Sequence, residues 1–369
     1  MRVLMTGGGT AGHINPAIAI ANTIKKNIPN AEIAFVGTKR GLENKLVTAE
    51  GYKLYHVNIM GISRSLSLKN IKALALMITS QIEAKKIIDE FKPDIVIGTG
   101  GYVCWPALKV AAKMGIPTAV HESNARPGLA IRQLQGSLDR IFVNFEDTAK
   151  YISNKDAVMH VGNPLRHGFG GLDYHEARKA LGIADDQTYV LSFGGSLGAN
   201  RINEISFNFM KDRAKGNSSI VYHHATGAHD YNEFCKKFAR AGLGSYSNLS
   251  LVEYIHDMPT RMSAADIVIC RAGAMTISEL AMMKKACIMI PSPNVVDNHQ
   301  YKNAKVLADA NAVVMLEESH LTDEVFMDSL LDLIRNPEKR ETLGENISSF
   351  ARLDANKVIF DEIVRLTQK

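Results

Sequence analysis

Two glycine-dense turns hold most of the chemistry this sequence can do. The first is Gly7-Gly8-Gly9-Thr10-Ala11-Gly12-His13, between the apolar run Val3–Thr6 and a helical stretch with Pro16 near its start. Such a turn aims backbone N–H groups and the positive end of a helix dipole at an anion. The second is Gly194-Gly195-Ser196-Leu197-Gly198-Ala199-Asn200, again between a strand-like run and a helix. A third anion-facing turn is Gly98-Thr99-Gly100-Gly101-Tyr102.

The first two turns admit rival readings. Gly7, Gly9 and Gly12 satisfy the dinucleotide fingerprint, which wants an acid after the second strand to hold a ribose. That strand ends Val36-Gly37-Thr38-Lys39-Arg40, with no acid, and the basic pair would suit only a 2′-phosphate. The second turn contains a nucleophile-elbow pattern at Ser196, for which His299 and Asp266 are in the right chain order. Ser196 is read instead as a hydroxyl donor beside a phosphate. In Arg271-Ala272-Gly273-Ala274-Met275-Thr276-Ile277-Ser278-Glu279, Thr276 and Glu279 have capping-box spacing. The functional reading makes Glu279 an acceptor for two ribose hydroxyls.

The elements that must position these turns repeat twice. Strand-like runs are Val3–Thr6, Glu32–Val36, Asp94–Gly98, Thr118–His121, Ile141–Asn144 and Val158–Val161 in the first half. In the second they are Tyr189–Phe193, Ile220–His224, Leu249–Val252, Ile267–Cys270, Ile288–Pro291 and Val313–Leu316. Short buried runs alternating with helices predict an α/β chain of two parallel-sheet, Rossmann-like domains. The domains are expected at 1–163 and 164–340, joined near Gly162-Asn163-Pro164. A helical tail, 341–369, is expected to pack back on the first.

In order, GGGTAGH, GTGGY, HESN, GNPLR, GGSLGAN, EYIHDM, RAGAMTISE and DNHQYKNA span residue 7 to about residue 304. As an ordered set they resemble the MurG family, bacterial transferases that add N-acetylglucosamine to a lipid-linked muramyl-pentapeptide in peptidoglycan synthesis. The resemblance implies a GT-B fold, with two Rossmann-like domains whose parallel sheets face each other across a cleft. It implies an inverting enzyme that moves the sugar from UDP-N-acetylglucosamine to the muramyl 4-hydroxyl. The first domain would meet acceptor and membrane, and the second would hold the donor. By the same resemblance Thr10, Ala11, Gly12 and Asn124 lie near the donor sugar, and Arg166 and Ser196 near the diphosphate. Ile255 pairs with uracil through its backbone. Ala274, Met275, Thr276, Ile277, Ser278 and Glu279 hold diphosphate and ribose, and Gln300 holds sugar hydroxyls. The chain departs from the family at Ala11, often Gly, and at His299-Gln300, where the family has Gln-Gln. His13 and Glu122 are the candidates for the base that takes the acceptor proton. Rival readings are another GT-B transferase, a UDP-N-acetylglucosamine 2-epimerase, an NADP oxidoreductase or a non-catalytic binding scaffold.

No Asp-x-Asp pair occurs, so no metal and no cofactor are expected, with backbone dipoles and Arg166 stabilising the leaving UDP. The stretch Lys69–Phe91 reads as a helix with two apolar faces. Ala73, Met77, Ala84, Ile87, Ile88 and Phe91 suit a core. Ile71, Leu74, Ala75, Ile78 and Ile82, beside Arg64, Lys69, Lys72, Lys85 and Lys86, suit shallow insertion into an anionic membrane surface.

The 369 residues are enough for two domains, and 46% hydrophobic with 22% charged residues is ordinary for a globular chain. A net charge of +5 without clustered basic and aromatic residues argues against a nucleic-acid partner. Cys104, Cys235, Cys270 and Cys287 form no paired spacing, which suits a reducing compartment. No signal peptide or membrane span is expected. These points predict a peripheral protein on the cytoplasmic face of the plasma membrane, with other cell-wall synthesis proteins as further partners.

Overall fold

The computed structural model describes residues 1–61, 68–165 and 168–368. The chain divides into two compact units, Met1–Arg166 with Arg352–Lys369, and His167–Ala351.

The first unit is built on a seven-stranded sheet. Its strands are β1 (Arg2–Thr6), β2 (Glu32–Gly37), β3 (Lys53–His56), β4 (Ile95–Gly98), β5 (Thr118–Glu122), β6 (Arg140–Val143) and β7 (Val158–His160). Their order is β3-β2-β1-β4-β5-β6-β7, all parallel. Alternate residues feed two cores. Leu4, Val36, Val96, Val120 and Ile141 face one, and Val3, Met5, Phe35, Ile97 and Phe142 the other. Burial on both faces is why these strands are continuous apolar runs.

The second unit has a six-stranded sheet of β8 (Thr188–Phe193), β9 (Ile220–Ala225), β10 (Leu249–Val252), β11 (Ile267–Cys270), β12 (Ala286–Met289) and β13 (Val314–Met315). Their order is β10-β9-β8-β11-β12-β13, again all parallel. In each sheet the winding reverses between two central strands, β1 and β4 in one and β8 and β11 in the other. Open parallel sheets bind ligands beyond the carboxyl ends of such a pair.

The sequence reading overlooked β3, a short strand with exposed Lys53 and His56. The unit division falls at 166/167 rather than 163/164. The tail expected as one piece is split. Helix Pro337–Ser348, capped by Asn336 on the Lys339 N–H (3.1 Å), sends Leu343 into the second unit's core. Helix Ala355–Thr367 alone belongs to the first unit. Its Ile359, Ile363 and Leu366 form one stripe buried in the core that also holds Val3, Met5 and Phe35, with helix Ala11–Asn27 as its main neighbour. Glu362 on this helix binds Arg140 of β6 at 2.5 Å.

Asp266, at the opening end of β11, binds buried Arg178 at 2.9 Å and accepts from the Tyr189 N–H (2.7 Å) and the Tyr174 hydroxyl (2.8 Å). Removing one partner of a buried pair strands the other. Asp266→Ala is expected to destabilise the second unit by about 3–5 kcal/mol, read as a lower urea midpoint at unchanged slope.

Candidate active site

The first glycine turn leaves β1 at its carboxyl end. Thr10 is the extended N-cap of helix Ala11–Asn27, which puts Ala11, Gly12 and His13 in its first turn. His13 is half-buried, and its Nδ1 lies 3.0 Å from the Gly8 carbonyl and 3.4 Å from the Thr10 hydroxyl. A carbonyl only accepts, so Nδ1 carries the proton and Nε2 of the neutral ring is the basic nitrogen. The Thr99 hydroxyl, from the β4 turn, donates to the His13 carbonyl at 2.7 Å. Gly101, at φ +80, lies so close that a Cβ would sit 2.4 Å from the Gly8 oxygen. Only glycine permits that backbone approach.

Beneath the turn lies a carboxylate that the sequence reading passed over. Glu43 is 1% exposed and accepts from the Gly9 N–H (3.2 Å), the Thr38 N–H (2.8 Å) and the Thr38 hydroxyl (2.9 Å). Burial raises its pKa, but the Thr38 and Gly9 donors outweigh it, and the net direction is down. A dinucleotide pyrophosphate would need the N–H that Glu43 holds and would meet its charge, so this turn does not suit a dinucleotide.

Glu122, at the end of β5, is buried. One oxygen accepts from the Asn124 N–H (2.9 Å) and side-chain amide (3.1 Å), the other from the Gly128 N–H (2.8 Å). Burial raises its pKa against these bonds. Its geometry is that of a loop anchor orienting Asn124, and of the two candidate bases His13 is the one half-open to solvent. Arg126 stacks on Tyr151 (3.9 Å).

In the second unit, Ser196 is exposed in the turn after β8, and neighbouring Leu197 is 65% exposed. Gly198, at φ +92, packs against the turn after β9, where a Cβ would lie 2.1 Å from the Thr226 oxygen. The nucleophile-elbow alternative fails on geometry. Ser196 follows the closing end of β8, whereas Asp266 precedes the opening end of the paired strand β11. The length of a strand separates them.

Helix Ala274–Met282 follows β11 with Gly273 as its N-cap. The capping box is therefore a correction: Thr276 is already inside the first turn, so Glu279 cannot close a box with it. Ala274, Ile277 and Ser278 are buried, while Met275, Thr276 and Glu279 are half-exposed. Ile255, just past β10, buries its side chain. Gln300 opens helix His299–Asp309 and accepts from the Ser292 N–H at 2.9 Å.

Within each unit the candidates therefore gather at one sheet edge. Thr10, Ala11, Gly12, His13 and Asn124 follow carboxyl ends in the first unit. Ser196, Ile255, Ala274–Glu279 and Gln300 do so in the second. Arg166 and Arg64 lie outside the described residues, as do the side chains of Lys69, Ile71, Lys72 and Leu74. Helix Leu68–Phe91 buries Ala73, Ala84, Ile87, Ile88 and Phe91 and exposes Ala75, Ile78 (66%) and Ile82 (56%). Among the described residues, no helix is long and apolar enough to cross a membrane, and no cluster of three or more His, Cys, Asp or Glu could hold a metal ion.

Two family models match. The glycosyltransferase family 28 N-terminal domain covers residues 3–143, and its C-terminal domain covers 189–359. The UDP-N-acetylglucosamine--N-acetylmuramyl-(pentapeptide) pyrophosphoryl-undecaprenol N-acetylglucosamine transferase of Thermoanaerobacter sp. (strain X514) is 41% identical over the whole of both chains. The chain belongs to the MurG family of glycosyltransferases. The enzyme of the same name from Acetivibrio thermocellus is 40% identical, over 98% of this chain and 97% of that one. The crystal structure of Acinetobacter baumannii MurG superposes with a TM-score of 0.78, at 28% identity and 99% coverage of both chains. The two parallel-sheet units are thus the GT-B architecture of the MurG family.

The MurG-family His-Glu-Ser-Asn segment also sets a pH limit. His121 is fully buried, its Nε2 donating to the Gly162 carbonyl (2.8 Å), and burial pushes its pKa down to about 4. Burial likewise lowers His223 to about 4, aided by Arg261, and His224 to about 3. An unfolded histidine protonates near 6.5. Between that value and the folded one the unfolded chain binds more protons, so these groups stabilise the fold above pH ~6.5 and lose that contribution as pH falls. Stability should drop by about 1.4 kcal/mol per pH unit for each such histidine. His121→Gln should flatten the slope between about pH 6 and pH 4.5 by one proton's worth, measured by urea denaturation.

Proposed function

We propose that the chain transfers N-acetylglucosamine from UDP-N-acetylglucosamine to the 4-hydroxyl of lipid-linked muramyl-pentapeptide, inverting the anomeric centre. The reading is carried by similarity along the whole chain to curated enzymes whose names give the transferred sugar and the lipid-linked acceptor. It is supported by the position of both glycine-rich turns at the switch points of the sheets.

His13 Nε2 takes the proton of the attacking hydroxyl as the new C–O bond forms, and UDP leaves with the electron pair of the old one. Backbone N–H groups of the Ser196 turn and of the first turn of helix Ala274–Met282 receive the charge gathering on the diphosphate. Arg166 acts with them. Glu279 holds the ribose hydroxyls, the Ile255 backbone the uracil, and Gln300 the sugar hydroxyls. Thr10, Ala11, Gly12 and Asn124 orient the sugar, with Glu122 acting through Asn124.

The test is incubation with UDP-N-acetylglucosamine and a lipid-linked muramyl-pentapeptide analogue, following UDP release and the disaccharide mass. Disaccharide formed only with both substrates present supports the reading, and its persistence in a chelator supports a metal-free transfer. Donor conversion to its 2-epimer without acceptor, or binding without turnover, would overturn it. His13→Ala is expected to lower kcat by about 10²–10⁴-fold with UDP affinity, measured by calorimetry, retained.

The acceptor's lipid tail requires work at a membrane surface, which we place at the cytoplasmic face. The exposed strip of Ala75, Ile78 and Ile82, with Lys85 and Lys86 on the same helix, supports shallow insertion there. Ile78→Ser with Ile82→Ser should weaken sedimentation with anionic liposomes at least about tenfold, since loss of only about two buried methylenes at roughly 0.8 kcal/mol each already amounts to that. UDP affinity should not change.

A further inference from the structure

The Gly8-Gly9 peptide group stands between two charged or chargeable side chains. Its carbonyl accepts from His13 Nδ1 at 3.0 Å, and its N–H donates to Glu43 Oε2 at 3.2 Å. There are no cis peptide bonds, so the two bonds point to opposite sides of one planar group. The carboxylate and the imidazole are joined through a single peptide.

We infer that Glu43 is a positioning residue for His13, acting through the Gly8-Gly9 peptide to lock the Nδ1–H tautomer and raise the basicity of Nε2. The inference rests on the reading of His13 as the base. A carboxylate accepting from an amide N–H pushes electron density onto the carbonyl oxygen of the same group. That oxygen then holds the Nδ1 proton more strongly, and more so when the ring becomes imidazolium. A carboxylate bonded directly to a histidine does the same for metal-bound and catalytic imidazoles. Here the peptide is interposed, so the charge stays out of the turn's open face.

The surroundings favour Glu43 as the charge responsible. Thr38 fixes its other oxygen with two donors, and Gly41 leaves room for it, since a Cβ there would lie 2.0 Å from the carboxylate. Other ionisable groups near the turns include exposed Lys39 and Arg40 after β2, Tyr102 and Cys104 after β4, and Glu122 at the end of β5. Burial raises the Tyr102 phenol, with Glu43 adding to it, and pushes the Cys104 thiol up to about 12. Both are neutral at physiological pH. Glu122 is spent on Asn124 and Gly128.

The experiment uses the full chain with histidines labelled at 13Cε1 and 15N, His13 being assigned by its loss in His13→Gln. In the unaltered protein the 15N shifts should report an Nδ1–H tautomer. In Glu43→Gln the tautomer bias should weaken and the His13 pKa should fall by about one unit. The acid limb of kcat against pH should shift by the same amount, with the KM for UDP-N-acetylglucosamine nearly unchanged. Thr38→Val disturbs the same pocket but keeps the charge, and should leave the His13 titration in place. Should Glu43→Gln fail to fold by circular dichroism, Glu43→Asp, whose carboxylate falls short of Gly9, should lower the pKa in the same direction by less. A His13 pKa and tautomer unchanged in whichever variant folds would overturn the inference. Full activity of His13→Gln would instead overturn the base assignment, and the titration would still report on the coupling.

Discussion

Both units depend on backbone meeting backbone where side chains would ordinarily keep chains apart. In the first, the β4 turn lies against the β1 turn through Gly101 and the Gly8 carbonyl. In the second, the β8 turn lies against the β9 turn through Gly198 and the Thr226 carbonyl. A parallel sheet supplies the opportunity, because every strand ends at the same edge and sends its turn into the same space. Adjacent turns pressed together beside a strand at the switch point make an edge of N–H and C=O groups held by the sheet. The residues with chemistry to offer, His13, Asn124, Ser196 and the first turn of helix Ala274–Met282, stand on that edge because the strands deliver them there.

The two edges differ in charge. The first turn is underlain by Glu43, which consumes the Gly9 N–H and makes the turn a poor anion site. What it exposes is an imidazole with a defined tautomer. In the second unit the helix after β11 begins at Gly273, a cap with no side-chain oxygen to offer the first-turn N–H groups. The glycine patterns look alike in sequence, yet one edge suits a proton acceptor and the other a diphosphate. This division matches the demands of sugar transfer, in which a proton leaves one reactant and negative charge gathers on the other.

Much of this was legible in the chain. Buried parallel strands are apolar on both faces, so a run such as Ile267–Cys270 stands out with its ends defined. β3 was invisible because an edge strand keeps polar residues such as Lys53 and His56. The Thr276–Glu279 spacing misled because capping is decided by where the backbone turns, and Gly273 turns it one helical turn earlier. The tail was read as one piece because hydrophobic periodicity marks a buried stripe without saying which core buries it. Glu43 was missed for a related reason. The acid was sought at the end of β2, and it lies six residues beyond, folded back beneath the glycine turn. Its signal was Gly37 and Gly41, which leave space for a carboxylate without announcing one.

The proposed transfer also requires a balance for the charge on the leaving diphosphate. Arg271, which follows β11, is committed to Glu318 and to the Ile290 carbonyl (3.0 Å). Arg201, after the Ser196 turn, is bound to Asp323 at 3.1 Å and to the Leu321 carbonyl at 2.7 Å. Both arginines serve the fold, and neither is placed as a loose counter-charge. In the proposed reaction the charge therefore falls on oriented backbone groups and on Arg166. Dipoles fixed by a sheet edge need no reorganisation when charge moves onto a leaving oxygen, whereas a mobile side chain must be ordered each time. In that proposed reaction the tight glycine contacts that hold those edges would serve the chemistry as well as the fold.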